Sequence, residues 1–171
     1  SNTAIGYNSL DANTTADNNT AVGNCSLTCN TTGTPNVAIG SSALRDNTEG
    51  ANNVAVGRSV LKVSTTASNN TGIGSFSLNA NTSGASNVAV GCGSLLTNTT
   101  GANNTAVGTE SLKVNTIGSN NVAAGRCALC SNTEGSQLIA IGSEALKANT
   151  TAENNVAVGH RALCANTTGS A

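Results

Sequence analysis

The chain is built from a 17-residue repeat that runs from its second residue to its last without insertion or deletion. Written in rows of seventeen from Asn2, the 171 residues form ten rows after Ser1, with the consensus N-[TV]-A-[VI]-G-x-x-[AS]-L-x-x-N-T-T-G-x-N. We call the seventeen positions of a row columns one to seventeen. Column five is glycine, column nine leucine and column thirteen threonine in every row. Such regularity is typical of proteins whose units stack on one another, so we predict one repeat array over residues 1–171.

The residues within one row argue against helices and favour short β-strands. Each row contains at least one glycine and a cluster of Asn, Thr and Ser, all of which are unfavourable inside helices. Columns two to four and columns eight to ten are the predicted strands, as in Val122–Ala124 and residues 128–130. The glycine of column five and the N-T-T-G segment predict two turns. The sequence therefore predicts an all-β fold, a β-solenoid (β-roll or β-helix) of ten coils with two short strands per coil.

Stacked coils would place like residues above like residues along one axis. Ten coils at about 4.8 Å each predict a rod of roughly 48 Å. Columns four and nine are predicted to form aliphatic stacks, and columns one and twelve to form asparagine ladders. The predicted leucine core stack consists of Leu10, Leu27, Leu44, Leu61, Leu78, Leu95, Leu112, Leu129, Leu146 and Leu163.

The charged residues separate solvent-facing columns from the others. The seven Lys or Arg and eight Asp or Glu residues all fall in columns six, seven, ten, eleven, fourteen and sixteen. Because unpaired charges are almost never buried, these columns are predicted to face solvent. A net charge of −1 provides no basic patch for nucleic acid. No apolar run is long enough to span a bilayer, so we expect no membrane insertion.

Column three predicts contacts between chains. It is alanine in every row except for Gly72, although its neighbours in columns two and four are often β-branched. We expect such a small residue to lie near an interface with another chain. A thin coil core gains only about 0.8 kcal/mol per buried methylene, which barely offsets the entropy of ordering the coil. We therefore predict a parallel homo-oligomer, a trimer, and because no cap ends the repeat, a longer shaft or an end-to-end filament.

The row motif, as in Asn155-Val-Ala-Val-Gly-His-Arg-Ala-Leu, resembles repeats in the shafts of viral and phage tail fibres. It is more distantly similar to the head repeats of trimeric autotransporter adhesins (YadA-like), which read roughly N-x-A-I-G-x-x-A. The resemblance covers essentially the whole chain. It implies an elongated, trimeric β-roll or β-helix in an extracellular location or on a virion surface.

One C-x-x-C sequence, Cys127 to Cys130, has the spacing of a redox or metal motif. Its inner residues, however, are columns eight and nine of the repeat. A thioredoxin-like pair needs a helix N-terminus, and a zinc site needs four converging ligands. The chain has no second C-x-x-C and a single histidine, so we predict no metal and no cofactor.

The six cysteines are better candidates for crosslinks. Two pairs share a coil and are possible disulfides: Cys25 with Cys29, and Cys127 with Cys130. Cys92 has no cysteine in the adjoining coils, and Cys164 lies two coils from Cys130, at about 9.6 Å, beyond the usual Cα separation of a disulfide. We predict that Cys92 and Cys164 are free or paired between chains. The alternative is that the cysteines are small apolar fillers at half-exposed columns.

The repeat favours a structural function over a chemical one. No nucleophile–base pair or carboxylate pair stands out, so we predict no catalytic residue and no enzyme activity. The favoured interpretation is a fibre or filament, a rigid shaft that holds something at a distance. The alternative is a surface-binding solenoid: an adhesin that binds surface glycans, or an ice-binding protein that uses the threonines of columns thirteen and fourteen. Aromatic residues, which are common in binding hot spots, are limited to one Tyr and one Phe.

Overall fold

A computed structural model describes residues 1–170, which contain parallel β-strands and turns and no helix. The ten strands form one sheet in sequence order. They are β1 (Thr3–Ile5), β2 (Thr20–Val22), β3 (Asn36–Ile39), β4 (Asn53–Val56), β5 (Thr71–Ile73), β6 (Val88–Val90), β7 (Thr105–Val107), β8 (Val122–Ala124), β9 (Ile139–Ile141) and β10 (Val156–Val158). Successive strands pair in parallel with identical columns opposite one another, as in Ala89 with Ala106. The predicted β-solenoid of stacked 17-residue coils is confirmed.

Each coil contains one strand, so the prediction of two strands per coil was wrong. Columns six to eleven form turns instead of a second strand. Columns seven and nine have left-handed backbone conformations, with φ of 59° at Ser42 and 48° at Leu44, and such residues cannot continue an extended strand. The turns are nevertheless bonded from coil to coil, since Leu27 N donates to Ala43 O at 3.0 Å and Cys29 N to Arg45 O at 3.0 Å.

The core of the rod consists of the leucines of column nine and the alanines of column three. Leu27 through Leu146 in this column are fully buried, Leu10 is 9% exposed, and Leu163 in the last coil is 52% exposed. Ala106 and Ala123 are fully buried as well, so column three lies inside the coil and not at the surface. The predicted position of this column at a chain–chain interface was therefore wrong. Column three stays small because the coil is only about one leucine and one alanine thick.

Coils four and five show how closely columns three and eight pack. Val60 is the only valine in column eight, where the other rows have Ala or Ser, and Gly72 is the only glycine in column three. Val60 is fully buried, and a Cβ on Gly72 would overlap Val60 Cγ1. The larger residue in one coil thus occupies the volume that the missing methyl group leaves in the next.

This packing predicts coupled effects of two substitutions. We expect Gly72→Ala to lower the free energy of unfolding by about 2 kcal/mol through overpacking, and Val60→Ala to lower it by about 1.5 kcal/mol through lost burial. The double variant should be within about 1 kcal/mol of the original chain, because the new methyl group fills the space that Val60 vacates. Denaturant unfolding of the four proteins measures the coupling, and additive losses would show that the two residues do not compensate.

Two buried asparagine columns connect the coils. In column one, the side-chain oxygen accepts from the backbone of the next coil, as Asn53 N donates to Asn36 Oδ1 at 3.0 Å. In column twelve, amide donates to amide, as Asn115 Nδ2 donates to Asn98 Oδ1 at 2.7 Å. The same Nδ2 also donates to Gly118 O at 2.9 Å, within its own coil. The asparagines are almost invariant because each satisfies buried polar groups of two coils at once.

Ser64 interrupts the ladder of column twelve and provides a stability prediction. Within the described part of the chain, Ser64 Oγ and the Oδ1 atom of Asn47 are buried without a hydrogen-bond partner. We expect Ser64→Asn to raise the free energy of unfolding by about 1–2 kcal/mol, because the new amide would donate to Asn47 and accept from Asn81. Ser64→Ala is the control, since it removes the hydroxyl group and leaves Asn47 unpaired. Thermal and denaturant unfolding would contradict the ladder if Ser64→Asn were no more stable than Ser64→Ala.

Candidate functional site

No pocket is present in residues 1–170, and no three acidic, histidine or cysteine side chains lie together there as a metal site would require. None of the described residues form a helix of the length and apolar character that crossing a membrane requires. The features that stand out are on the surface of the rod: one face of the sheet and the turns that follow it.

The outer side of the sheet is a continuous surface, which we call the apolar face. Because successive side chains of a strand alternate, the inward position of column three places columns two and four on the outside. Column four is aliphatic in all ten coils and column two in six, and the remaining four residues are threonine. Column two consists of Thr3, Thr20, Val37, Val54, Thr71, Val88, Thr105, Val122, Ile139 and Val156. Column four consists of Ile5, Val22, Ile39, Val56, Ile73, Val90, Val107, Ala124, Ile141 and Val158.

The side chains of the apolar face are exposed or half-buried along the whole rod, and none of them is fully buried. Ile39, Ile73 and Val107 are 40%, 41% and 43% exposed, although they lie in the middle of the stack. Apart from Tyr7, Ile117 and Leu163, every large apolar side chain that is exposed in residues 1–170 belongs to this face. Contiguous exposed apolar surface of this kind marks interaction sites in soluble proteins.

Strand geometry arranges the apolar face as a regular grid. Neighbouring coils are about 4.8 Å apart along the rod, and columns two and four are about 6.6 Å apart across it. The register of the strands is the same at every step of the sheet, from the pair Thr3 and Thr20 to the pair Ile139 and Val156. The grid therefore repeats without a slip from the first coil to the last.

The absence of charged residues from column four predicts that this column faces a core or a tight turn, because unpaired charges are almost never buried. An aliphatic stack does form in column four, but it lies outside the coil. Charged residues are equally expected to be absent from a surface that contacts an apolar partner. The absence of charge in column four therefore does not distinguish a position in the core from a position at an interface. The residue sizes in columns two to four indicate the correct orientation of the strand. Alanine in column three is small enough for the narrow interior of the coil, and the β-branched residues on either side of it therefore lie outside.

The threonines of column thirteen have a role within the rod. Thr99 Oγ1 donates to Thr116 O at 2.9 Å, and Thr116 Oγ1 donates to Thr133 O at 3.0 Å. Three successive backbone N–H groups of a coil also converge on this carbonyl of the next coil. These hydrogen bonds account for the invariant threonine without an external ligand. Column fourteen is exposed, and it includes Glu49, Glu134 and Ile117, which interrupt a regular threonine surface.

Cys127 and Cys130 form a disulfide that joins columns seven and ten of the eighth coil. The coils on either side pair the same columns by ion pairs. Lys113 Nζ lies 2.8 Å from Glu110 Oε1, and Lys147 Nζ lies 3.5 Å from Glu144 Oε2. The C-x-x-C sequence thus lies where the turn brings columns seven and ten together. Its disulfide links these two columns in the eighth coil, as the ion pairs do in the seventh and ninth coils.

The other four cysteines are free thiols. Cys25 and Cys29, which the sequence suggested as a pair, occupy columns seven and eleven and are not joined. Column ten is the one that approaches column seven, as the disulfide and the ion pairs show. Cys92 is exposed and Cys164 is half-buried.

Ion pairs cluster on the turns of the last three coils. Arg126 Nη2 donates to Glu144 Oε1 at 2.7 Å, and Arg161 Nε lies 3.8 Å from Glu144 Oε2. The hydrogen bond from Arg126 is the main cause of the lowered pKa of Glu144, and the hydrogen bond from Lys113 likewise lowers the pKa of Glu110. Both carboxylates therefore stay ionised to lower pH than usual. Such exposed ion pairs contribute little to the free energy of unfolding. This cluster is therefore a polar part of the surface of the turns.

The chain matches no protein-family model, no curated protein and no solved structure. Its function is therefore inferred from the stacked coils and from the apolar face.

Proposed function

We propose that this chain is a structural element, a rigid shaft of a fibre or filament that works outside the cell or on a virion surface. The observation that carries the proposal is the unbroken register of ten parallel strands, in which each coil is the template for the next. A protein built in this way gains length in direct proportion to the number of its coils. Its function is to hold attached parts at a fixed distance.

The hydrogen bonds between coils support this mechanical role. Every coil bonds to the next through its strand and its turns. Most coils add hydrogen bonds from the two asparagine columns and from the threonines of column thirteen, as at Asn36, Asn98 and Thr99. Bending the rod would stretch several of these bonds at once, because they lie on different sides of the coil. The rod is expected to resist bending and to expose little backbone to proteases.

The proposal includes self-association as a parallel homotrimer, with end-to-end contacts as a further way to lengthen the fibre. The resemblance to tail-fibre shafts and to trimeric adhesin heads supports three chains and the extracellular or virion-surface location. The exposed apolar face supports association, since a rod with such a surface gains free energy by covering it.

Surface binding is the second candidate function. The grid of the apolar face presents side chains at fixed spacings, and four of its twenty positions are threonine. A flat, regular surface of this kind could adsorb to ice, and an adhesin would use the rod itself to contact surface glycans. A thermal hysteresis assay tests for ice binding, and glycan-array binding tests for adhesion.

Electron microscopy of joined arrays tests the shaft. Four copies of residues 2–171 linked in frame keep the 17-residue period across each junction, so we expect straight rods of roughly 190 Å. The control is the same protein with a flexible Gly-Ser linker at each junction, which should give bent chains of short segments. Round particles from the in-frame protein would contradict the proposal.

A further inference from the structure

We propose that the apolar face is the surface through which copies of this chain associate, and that it packs against the apolar faces of other copies aligned in parallel. This inference rests on the proposed shaft and specifies how its chains meet: in the proposed trimer, the three apolar faces turn toward a common axis, and each contacts the faces of its two neighbours. It also replaces column three, which the structure places inside the coil, as the contact between chains.

The size of the apolar face fits a stable interface. Each chain contributes twenty side chains, two from each of ten strands. Interfaces of standard size use about 20–30 residues on each side. The core of an interface is depleted of charged residues, and columns one to five contain none. Both the number and the character of these side chains therefore match what association between proteins requires.

The spacing of the grid identifies the partner as a second copy. Two sheets pack face to face at about 10 Å when the rows of side chains on one sheet interdigitate with rows on the other. The apolar face has rows every 4.8 Å or so along the whole rod, and a surface without this period would fit only a few of them. A second copy of this chain has rows of side chains at the same spacing, because its sequence and its coils are identical. β-Branched side chains in regular rows form dry, interdigitated contacts of this kind.

Charges beside the apolar face favour parallel rods. Column six follows the face along the chain, and its charged residues are Arg58 and Arg126. Column sixteen precedes the face, and its charged residues are Asp17 and Glu153. When faces meet with their rods parallel and their coils level, column six of one copy borders column sixteen of the other. Arg126 in the eighth coil of one copy then lies one coil from Glu153 in the ninth coil of the other, whereas Arg58 and Asp17 stay three coils apart. Antiparallel rods would bring column six next to column six, which is less favourable.

Analytical ultracentrifugation of three proteins tests the inference. The test variant is Ile73→Glu with Val107→Glu, which places two carboxylates on the apolar face. The matched control is Thr66→Glu with Thr100→Glu in column fourteen, where the chain already has Glu49 and Glu134. Circular dichroism must first show that all three proteins keep the β-solenoid.

We expect the original chain and the control to sediment as oligomers with the same dissociation constant. The test variant should dissociate at a concentration on the order of 100-fold higher or more, because an unpaired carboxylate is very unfavourable in an apolar interface. A test variant that keeps the mass of the oligomer would overturn the inference, and so would an original chain that stays monomeric. An elongated monomer would leave the proposed shaft intact, whereas a compact monomer would contradict the shaft as well.

Two further measurements decide the occupant and the orientation. The first measurement is thermal hysteresis. If the original chain is monomeric and shows thermal hysteresis, and the test variant does not, the apolar face binds ice, and association between copies is overturned. For orientation, a spin label at Thr151→Cys in a cysteine-free background should give a short distance between copies in parallel rods. Antiparallel rods would separate the two labels by seven coils, about 34 Å along the rod, and such a distance would overturn that part of the proposal.

Discussion

Replacing Gly108 with alanine is expected to lower the free energy of unfolding by more than about 3 kcal/mol. Gly108 has φ of 126°, which residues with a side chain rarely adopt, and such strain costs on the order of 1–3 kcal/mol. A Cβ atom at this position would also lie 2.7 Å from the carbonyl carbon and oxygen of Gly125 in the next coil. Backbone atoms cannot move aside as the end of a side chain can, so the two coils would have to separate. Denaturant unfolding followed by circular dichroism measures the loss.

Gly93→Ala is the control for this substitution. Gly93 also has a positive φ, 64°, but the nearest atom to its added Cβ would be Glu110 Cγ at 3.9 Å. The other nine coils have residues with side chains in the same column, such as Glu110 with φ of 59°. We expect a loss of about 1 kcal/mol, the usual cost of a left-handed conformation. Equal losses for Gly93→Ala and Gly108→Ala would show that the close approach of coils at column five is not what requires glycine.

Leu95→Ala is expected to lower the free energy of unfolding by about 2–5 kcal/mol. Leu95 is fully buried in the middle of the leucine stack, and removal of a buried leucine side chain loses its burial and leaves a cavity. The neighbouring Leu96 provides the control, because it lies in column ten and is only partly buried. We expect Leu96→Ala to cost less than about 1 kcal/mol.

Hydrogen exchange can locate the effect of Leu95→Ala. In a solenoid each coil contacts only its neighbours, so the weakened sixth coil should lose protection together with the coils on either side. Coils one and ten should change little beyond the fraying that they show in the original chain. A uniform loss of protection over all ten coils would indicate that the stack behaves as one cooperative unit.

The stacking of the coils could be predicted from the sequence because the 17-residue period has no insertion. Once the period is known, Leu27, Leu44 and Leu61 must lie in one axial row if the chain forms a solenoid at all. The asparagine ladders follow from the same argument, since a buried amide can be paired by the equivalent residue of the next coil. These features depend on periodicity, which a single sequence displays directly.

Two features could not be predicted in this way. The left-handed conformation of the leucines in column nine runs against the preference of residues with a side chain, and it is set by the tight closure of the coil. The inward and outward sides of a three-residue strand are also ambiguous, because Val54 and Ala55 are both apolar. In the structure Ala55 is fully buried in the core, and Val54 is half-buried on the outer side of the sheet. A prediction based on hydrophobicity alone favours the reverse.

The apolar face unites the structural and functional arguments. A solenoid that worked as a solitary rod would be expected to have polar residues on the outside of its sheet, as its turns have. This chain instead places β-branched residues there in nearly every coil and confines its charges to columns outside the sheet. The expected loss of association in the variant with Ile73→Glu and Val107→Glu tests that use of the face.

Distances between equivalent positions of different coils test the stacking most directly. Thr32, Thr100 and Thr151 all lie exposed in column fourteen, in the second, sixth and ninth coils. With each replaced by a spin-labelled cysteine in a cysteine-free background, double electron–electron resonance on pairs of labels diluted with unlabelled protein measures the separations. The stacked rod predicts about 19 Å between positions 32 and 100 and about 34 Å between positions 32 and 151, in proportion to four and seven coils. Separations that do not increase in this proportion would contradict the axial stacking of the coils.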